Sequence, residues 1–127
     1  MSTPLEIVNR FLDLTSPKGR DIESLLPQIS SILSKDFVFT GPLMKVEGRE
    51  SYLDLLRNFL GVHVNLIVKR QFADADEVCS INDLTVMSPA GALVRMPMAE
   101  WFRVDDGVIR AHEIFYDPRE FAKAFGM

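Results

Sequence analysis

The spacing of apolar residues changes about halfway along the chain. In the first 60 residues apolar side chains recur every three or four positions, the period of an α-helix, whereas from Val64 onward they alternate with polar ones, as in a strand. Thr3 and Glu6 match a capping box around Pro4 and predict a first helix, whose apolar face begins at Ile7. Helices followed by strands favour the α+β class.

Two further helices are predicted ahead of the strands. Asp21 is suited to cap a second helix whose apolar residues continue to Leu33. We expect Pro27 to split or kink this helix, because proline removes a backbone donor and crowds the preceding turn. A short strand is expected over residues 37–39, and a third helix over Arg49–Leu60.

Four alternating segments complete the pattern, with turn-forming residues between them. They cover residues 64–72, 77–87, 92–104 and 108–116. We therefore predict a single domain over residues 1–127, in which a strongly curved antiparallel sheet packs around three N-terminal helices.

The composition favours an adaptable apolar interior. The chain has 127 residues, of which 47% are hydrophobic, and it contains nine phenylalanines and six methionines. A domain of this size buries one core, and a methionine-rich core fills irregular space easily. Such an interior suits a small apolar ligand, and it suits an ordinary core as well.

Charge and cysteine content exclude several classes of protein. The net charge is −4 and the basic residues are scattered, so neither a nucleic acid nor a membrane is an expected partner. No secretory signal and no apolar run of about 18 residues is visible, which makes the cytoplasm the expected location. The single cysteine, Cys79, cannot form an intrachain disulfide, and no pair of histidines has metal-ligand spacing. We expect neither a metal nor a cofactor.

The last two strands carry the most informative polar residues. Alternation places Glu100 on the same face as Met96, Met98 and Phe102. Ionisable groups among apolar side chains can give a small cavity selectivity or acid–base chemistry.

The stretch 102–109, Phe-Arg-Val-Asp-Asp-Gly-Val-Ile, leads into Phe115-Tyr116-Asp117. This hairpin, together with the order of elements, resembles the superfamily of ketosteroid isomerase and nuclear transport factor two, and within it SnoaL-like proteins. Gly48 with Tyr52 also resembles the family's entry into the third helix. The resemblance implies a cone-shaped α+β barrel with a pocket at its wide end. It also implies that the last strand turns His112, Ile114 and Tyr116 toward that pocket.

The family's known catalysts place polar groups at positions that are largely apolar in this chain. Relative to ketosteroid isomerases, Phe11 replaces a tyrosine donor and Gly41 replaces the aspartate base, while Glu100 keeps the place of an acidic donor. Relative to limonene epoxide hydrolases, Asp83 is retained and Ile114 replaces a second aspartate. Neither mechanism is therefore expected in its usual form.

The middle strand has two possible orientations. The resemblance turns Asp83 inward, in the set that also contains Cys79, Ile81, Thr85 and Met87. The apolar residues Val78, Leu84 and Val86 compete for the core.

The candidate catalytic residues are His112, Glu100, Asp83 and Tyr116. In this hypothesis His112 is a base oriented by Glu100, and Tyr116 or a protonated Glu100 donates to a carbonyl or ether oxygen. Alternatively, Glu100 and His112 form a buried pair without further function. The expected ligand-binding wall consists of Phe11, Phe37, Phe39, Tyr52, Leu56, Met96, Met98, Phe102 and Ile114.

The opposite sheet face combines aromatic residues with arginines, namely Trp101, Phe115, Arg95 and Arg103. Tryptophan and arginine often anchor protein interfaces, so we expect a homodimer through this outer face.

Two functions remain open at this point. The first is a protein that binds a small hydrophobic molecule, with cofactor-free acid–base catalysis of the isomerase, cyclase, dehydratase or epoxide hydrolase type. The second is a non-catalytic ligand carrier or dimerisation module, which the apolar residues Phe11, Gly41 and Ile114 favour.

Overall fold

In residues 2–127, which the computed structural model describes, four helices and six strands follow one another. In chain order they are α1 (Pro4–Leu14), α2 (Ile22–Ser30), β1 (Leu33–Thr40), β2 (Lys45–Glu47), α3 (Arg49–Leu60), β3 (His63–Asp74), β4 (Glu77–Met87), β5 (Leu93–Asp105), β6 (Val108–Phe115) and α4 (Arg119–Ala124).

The six strands form one curved sheet in the order β2-β1-β6-β5-β4-β3. The helix α1 packs against β4, β5 and β6, while α3 packs against β1. The predicted α+β fold, with a sheet wrapped around helices, is confirmed. Three details differ from the prediction: β1 and β6 run parallel, α3 follows two strands, and α4 lies at the C-terminal end.

The first helix begins as its sequence predicts. The Glu6 amide donates to Thr3 Oγ1 at 3.2 Å, and the Thr3 amide donates to Glu6 Oε1 at 2.8 Å, which completes the capping box. The helix buries Ile7, Val8 and Phe11 against the sheet.

The second helix ends earlier than predicted, and Pro27 does not split it. It ends at Ser30, and Leu33 instead begins β1, because the parallel pairing with β6 captures these residues: the Ile109 amide donates to the Ile32 carbonyl at 2.8 Å. Pro27 lies inside the helix without splitting it, since its carbonyl still accepts from the Ser31 amide at 3.1 Å and only one bond is lost.

The register between β4 and β5 overturns the orientation that the resemblance implied for β4. Val78, Ser80, Asn82 and Leu84 stand opposite Phe102, Glu100, Met98 and Met96, respectively. Directly paired residues share a face of the sheet, so the even-numbered residues of β4 face inward and Asp83 faces outward. The apolar residues that competed for the core therefore decided the register, because Val78, Leu84 and Val86 are all buried.

The buried side chains form two clusters. The larger one, between α1, α2, α3 and the sheet, is built around Phe11, Phe37 and Phe102. The smaller one contains Leu84 and Met96 and packs against residues of α4. None of the helices within residues 2–127 combines the length and apolar character needed to cross a bilayer.

Candidate functional site

A cavity of about 410 Å³ lies between the helices and the inner face of the sheet. Both hydrophobic clusters contribute to its wall, which is almost entirely apolar. Seven residues of the expected ligand-binding wall line it, namely Phe11, Phe39, Tyr52, Leu56, Met96, Met98 and Ile114. A volume of this size falls in the range that small-molecule pockets occupy.

The other two residues of that expected wall lie behind the cavity. Phe102 stacks on the imidazole of His112 with ring centroids 4.2 Å apart, and Phe37 packs on Tyr52 at 4.7 Å. Both phenylalanines are fully buried, so they support wall residues and do not themselves line the cavity.

The polar part of the cavity wall contains Glu100 and His112. The two residues lie on β5 and β6, where the pairing of Phe102 with His112 and of Glu100 with Ile114 makes them diagonal neighbours on the inner face. His112 Nε2 lies 2.8 Å from Glu100 Oε1, and both side chains are buried. A carboxyl group and an imidazole thus meet inside an apolar enclosure.

Three aromatic rings hold the imidazole of His112. Besides the stacked Phe102, the edges or faces of Phe11 and Phe39 approach it with centroid distances of 5.4 Å each. Within residues 2–127, His112 Nδ1 is buried and has no hydrogen-bond partner. A buried polar atom without a partner is costly, so a group that bonded to Nδ1 would be stabilising.

A polar row on β4 extends the pair, and sequence reasoning missed it. The side-chain amide of Asn82 donates to Glu100 Oε2, and Ser80 Oγ donates to Asn82 Oδ1 at 2.8 Å. Gln71 Nε2 contacts Ser80 Oγ at 3.2 Å and Asn9 Oδ1 at 2.7 Å. The apolar residues of β4 could have predicted this row. If Val78, Leu84 and Val86 face inward, alternation places Ser80 and Asn82 on the same inner face.

Two tyrosines line the cavity with their protons retained at neutral pH. Burial raises the pKa of the Tyr52 hydroxyl far above its usual value, and the negative charge of Glu100 adds to the effect. Burial also raises the pKa of Tyr116, which is half-buried beside Phe121. Both hydroxyls can therefore donate hydrogen bonds.

Tyr116 and His112 lie at different depths of the cavity. Four residues along a strand span roughly 13 Å, so the two side chains contact different parts of any occupant. The partly exposed residues Tyr116, Phe121 and Phe125 mark the open end, and the buried His112 marks the closed end.

Asp83 does not join the other candidate residues. It lies on the outer face of the sheet, where its Oδ2 is 2.8 Å from Arg95 Nη2 and 3.4 Å from Lys69 Nζ. The hydrogen bond from Arg95 lowers the pKa of the carboxyl group. The expectation that Asp83 faces the pocket was therefore wrong, because the core selected the opposite register.

His63 lines the cavity at the start of β3. Burial lowers the pKa of its imidazole, which favours the neutral form. Within residues 2–127, no cluster of three or more histidine, cysteine, aspartate or glutamate side chains has the arrangement of a metal site.

The model of the SnoaL-like domain family matches residues 8–112, more than half of the chain. The chain therefore belongs to the SnoaL-like family. No curated protein matches the sequence.

Solved structures of several proteins share the fold. An NTF2-like protein of unknown function from Cytophaga hutchinsonii is 21% identical, with a TM-score of 0.78 and coverage of 95% of this chain and 96% of that one. An LEH-like epoxide hydrolase from M. tuberculosis is 19% identical, with a TM-score of 0.78 and coverage of 96% and 88%. A protein with a ketosteroid isomerase-like fold from Catenulispora acidiphila, solved in complex with trimethylamine, is 15% identical, with a TM-score of 0.75 and coverage of 99% and 95%. At these identities the likeness concerns the fold alone.

Proposed function

We propose that this SnoaL-like protein binds a small hydrophobic molecule in the cavity and performs cofactor-free acid–base chemistry on it. The observation that carries the proposal is the buried contact of 2.8 Å between His112 Nε2 and Glu100 Oε1 on the wall of an apolar cavity. A structural ion pair would not need a cavity beside it. The solved neighbours that act on an epoxide or bind trimethylamine use the same fold for small molecules.

The proposed chemistry begins with His112 as the base. Its Nδ1 atom, which has no protein partner within residues 2–127, accepts a proton from the substrate. Glu100 orients the ring through Nε2 and stabilises the imidazolium ion that forms. The surrounding rings of Phe11, Phe39 and Phe102 keep water away, which strengthens this electrostatic stabilisation.

The acid in this chemistry is a tyrosine hydroxyl. Tyr116 lies at the open end of the cavity and Tyr52 lines its wall, and both keep their protons because burial raises their pKa values. A substrate with a carbonyl or ether oxygen would receive a hydrogen bond from one of them. Isomerisation, cyclisation, dehydration and epoxide opening all fit this combination of one base and one neutral donor.

The alternative function, a ligand carrier without catalysis, rests on one observation. Phe11, Gly41 and Ile114, which stand where related catalysts have polar groups, all line the cavity. A Cβ at Gly41 would lie 3.3 Å from a side-chain carbon of Ile114, so a larger residue would require Ile114 to shift. A carrier would bind hydrophobic molecules and release them unchanged.

We also propose that the protein forms a homodimer through the outer sheet face. Ile67, Phe72, Leu93 and Phe115 are exposed on this face, and Trp101 lies among them with its indole nitrogen bonded to Glu77 at 2.9 Å. Large exposed aromatic and aliphatic side chains on one face favour association.

Screening a panel of terpenoid, steroid and polyketide fragments tests the proposed function. Binding is followed by the shift in melting temperature, and turnover by mass spectrometry of the recovered fragments. An enzyme binds and converts at least one class, and the conversion is lost in His112→Ala. A carrier binds without conversion, and a protein whose cavity has no ligand binds nothing in the panel.

A further inference from the structure

A continuous chain of side-chain hydrogen bonds leads from the edge of the sheet to His112. Gln71 Nε2 lies 3.2 Å from Ser80 Oγ, which lies 2.8 Å from Asn82 Oδ1. The Asn82 amide nitrogen contacts Glu100 Oε2, and Glu100 Oε1 contacts His112 Nε2 at 2.8 Å. The proposed function uses only the last of these contacts, although Ser80 and Asn82 are completely buried.

The hydrogen bonds of this chain share one direction, from Gln71 toward Glu100. Gln71 Nε2 donates to Ser80 Oγ and to Asn9 Oδ1. The oxygen of the Ser80 hydroxyl accepts from Gln71, and its O–H donates a hydrogen bond to Asn82 Oδ1. The carbonyl oxygen of Asn82 is thereby occupied, and its amide nitrogen points to Glu100.

Glu100 is consequently an acceptor at Oε2. A carboxylate without a hydrogen of its own accepts at both of its oxygens. The hydrogen between Glu100 and His112 therefore belongs to Nε2, and neutral His112 carries its lone pair on Nδ1.

The neighbourhood of His112 supports this assignment. Phe11 from α1, Phe39 from β1 and Phe102 from β5 surround the ring and do not titrate. Within residues 2–127, the other titratable side chains on the cavity wall are Glu100, Tyr52, Tyr116 and His63.

We propose that Ser80 and Asn82 are positioning residues, which hold Glu100 as a double acceptor and so fix His112 in the tautomer with hydrogen on Nε2 and a free acceptor at Nδ1. It follows, resting on the proposed function, that a cavity ligand presents a hydrogen-bond donor to Nδ1. The ligand class is therefore narrowed to hydrophobic molecules with a hydroxyl, an N–H or an acidic C–H group at the end that reaches His112.

Side-chain ¹⁵N NMR of the ligand-free protein tests the tautomer directly, at a pH where His112 is neutral. The wild type should show a protonated Nε2 and an unprotonated Nδ1. In Asn82→Leu, Glu100 loses the amide donor at Oε2 and can itself donate a hydrogen to Nε2, so Nδ1 should become the protonated nitrogen of His112 and Nε2 the unprotonated one. The milder Ser80→Ala, which removes one oxygen, should give a mixture of both tautomers.

Asp83→Asn, on the same strand but the outer face, serves as the matched control and should leave the His112 signals unchanged. A purely structural role of Asn82 would alter stability without moving the tautomer. The proposal would be overturned by a wild-type protein that carries the hydrogen on Nδ1. It would also be overturned if Asn82→Leu and Ser80→Ala both fold and both keep the wild-type signals of His112.

Two matched probes, cyclohexanol and methoxycyclohexane, test the ligand class. Cyclohexanol should bind roughly 2- to 12-fold more tightly, the value of one hydrogen bond, and should shift the Nδ1 signal. Equal binding of the ether would contradict the requirement for a donor. If neither probe binds, the ligand site of the proposed function is contradicted. The NMR test of the His112 tautomer does not depend on this result.

Discussion

Two carboxylates of the same sheet are almost equally buried and have opposite surroundings. Glu100 is 6% exposed on the inner face, and Asp83 is 7% exposed on the outer face. Glu100 meets an imidazole and a neutral amide beside an apolar cavity. Asp83 meets Arg95 and Lys69, whose side chains are largely exposed to solvent. Burial alone therefore does not identify a carboxyl group suited to acid–base chemistry.

The two carboxylates differ in the side chains that they contact. The guanidinium of Arg95 stays charged at every ordinary pH, so it fixes Asp83 in its ionised form. An imidazole such as that of His112 can both accept and release a proton, so the inner pair contains a group suited to exchange one with a ligand. The outer pair can hold two strands together, whereas the inner pair can also move a proton.

The largest expected effect is a loss of activity that distinguishes Glu100 from Asp83. On a substrate found by the fragment panel, Glu100→Gln should lower kcat/KM by about 10²–10⁴-fold, because His112 loses the charge that stabilises its protonated form. Asp83→Asn should stay close to the wild type. Equal losses in the two variants, measured by initial rates on folded protein, would remove the distinction between the faces.

The next effect concerns stability. Asn82→Ala leaves the buried Ser80 O–H without an acceptor and Glu100 Oε2 without a donor, which should lower the free energy of unfolding by about 1–3 kcal/mol. Arg95→Ala on the exposed outer face should cost less, since water replaces the lost partner. Urea denaturation of both variants measures the difference, and a larger loss in Arg95→Ala would reverse the ranking.

A smaller effect is expected for association. Phe115 is exposed on the outer face, and Phe115→Asp should weaken the proposed dimer by about tenfold or more, since aromatic anchors carry much of an interface's energy. Light scattering over a range of concentrations follows the change. A wild type that remains monomeric throughout would refute the dimer, and ligand binding in the cavity should be unaffected in either case.

The smallest effect is a dependence on pH. Arg95 holds the pKa of Asp83 below its usual value, so the pair stabilises the folded state above about pH 4 and loses this contribution as the pH falls through the lowered pKa. The difference in unfolding free energy between the wild type and Asp83→Asn should therefore shrink in acid. The prediction would be contradicted if this difference stayed constant from pH 7 down to the lowest pH at which both proteins remain folded.

The elements with strong periodicity or clear turn residues were predicted correctly from the sequence. The capping box of α1, the bounds of α3 and the hairpin that holds Glu100 and His112 all appear in the structure. The short elements β2 and α4 were not foreseen, since three and six residues carry too little periodicity and depend on tertiary contacts.

The register of β4 was the decisive point that sequence reasoning left open. Both of its faces carry apolar side chains, so alternation alone could not orient the strand. The choice made from the resemblance placed Asp83 inside and left Asn82 unnoticed. Pairing with β5 determines the orientation of β4, because Ser80 stands opposite Glu100.

The proposed function depends above all on Glu100 and His112 acting together as a base inside the cavity. The pH dependence of kcat/KM for the wild type and for His112→Ala tests it most directly, with circular dichroism to establish that both are folded. The wild-type profile should show an inflection with pH, and the variant should show a flat residual rate. A variant that keeps both the wild-type rate and the same inflection would contradict it.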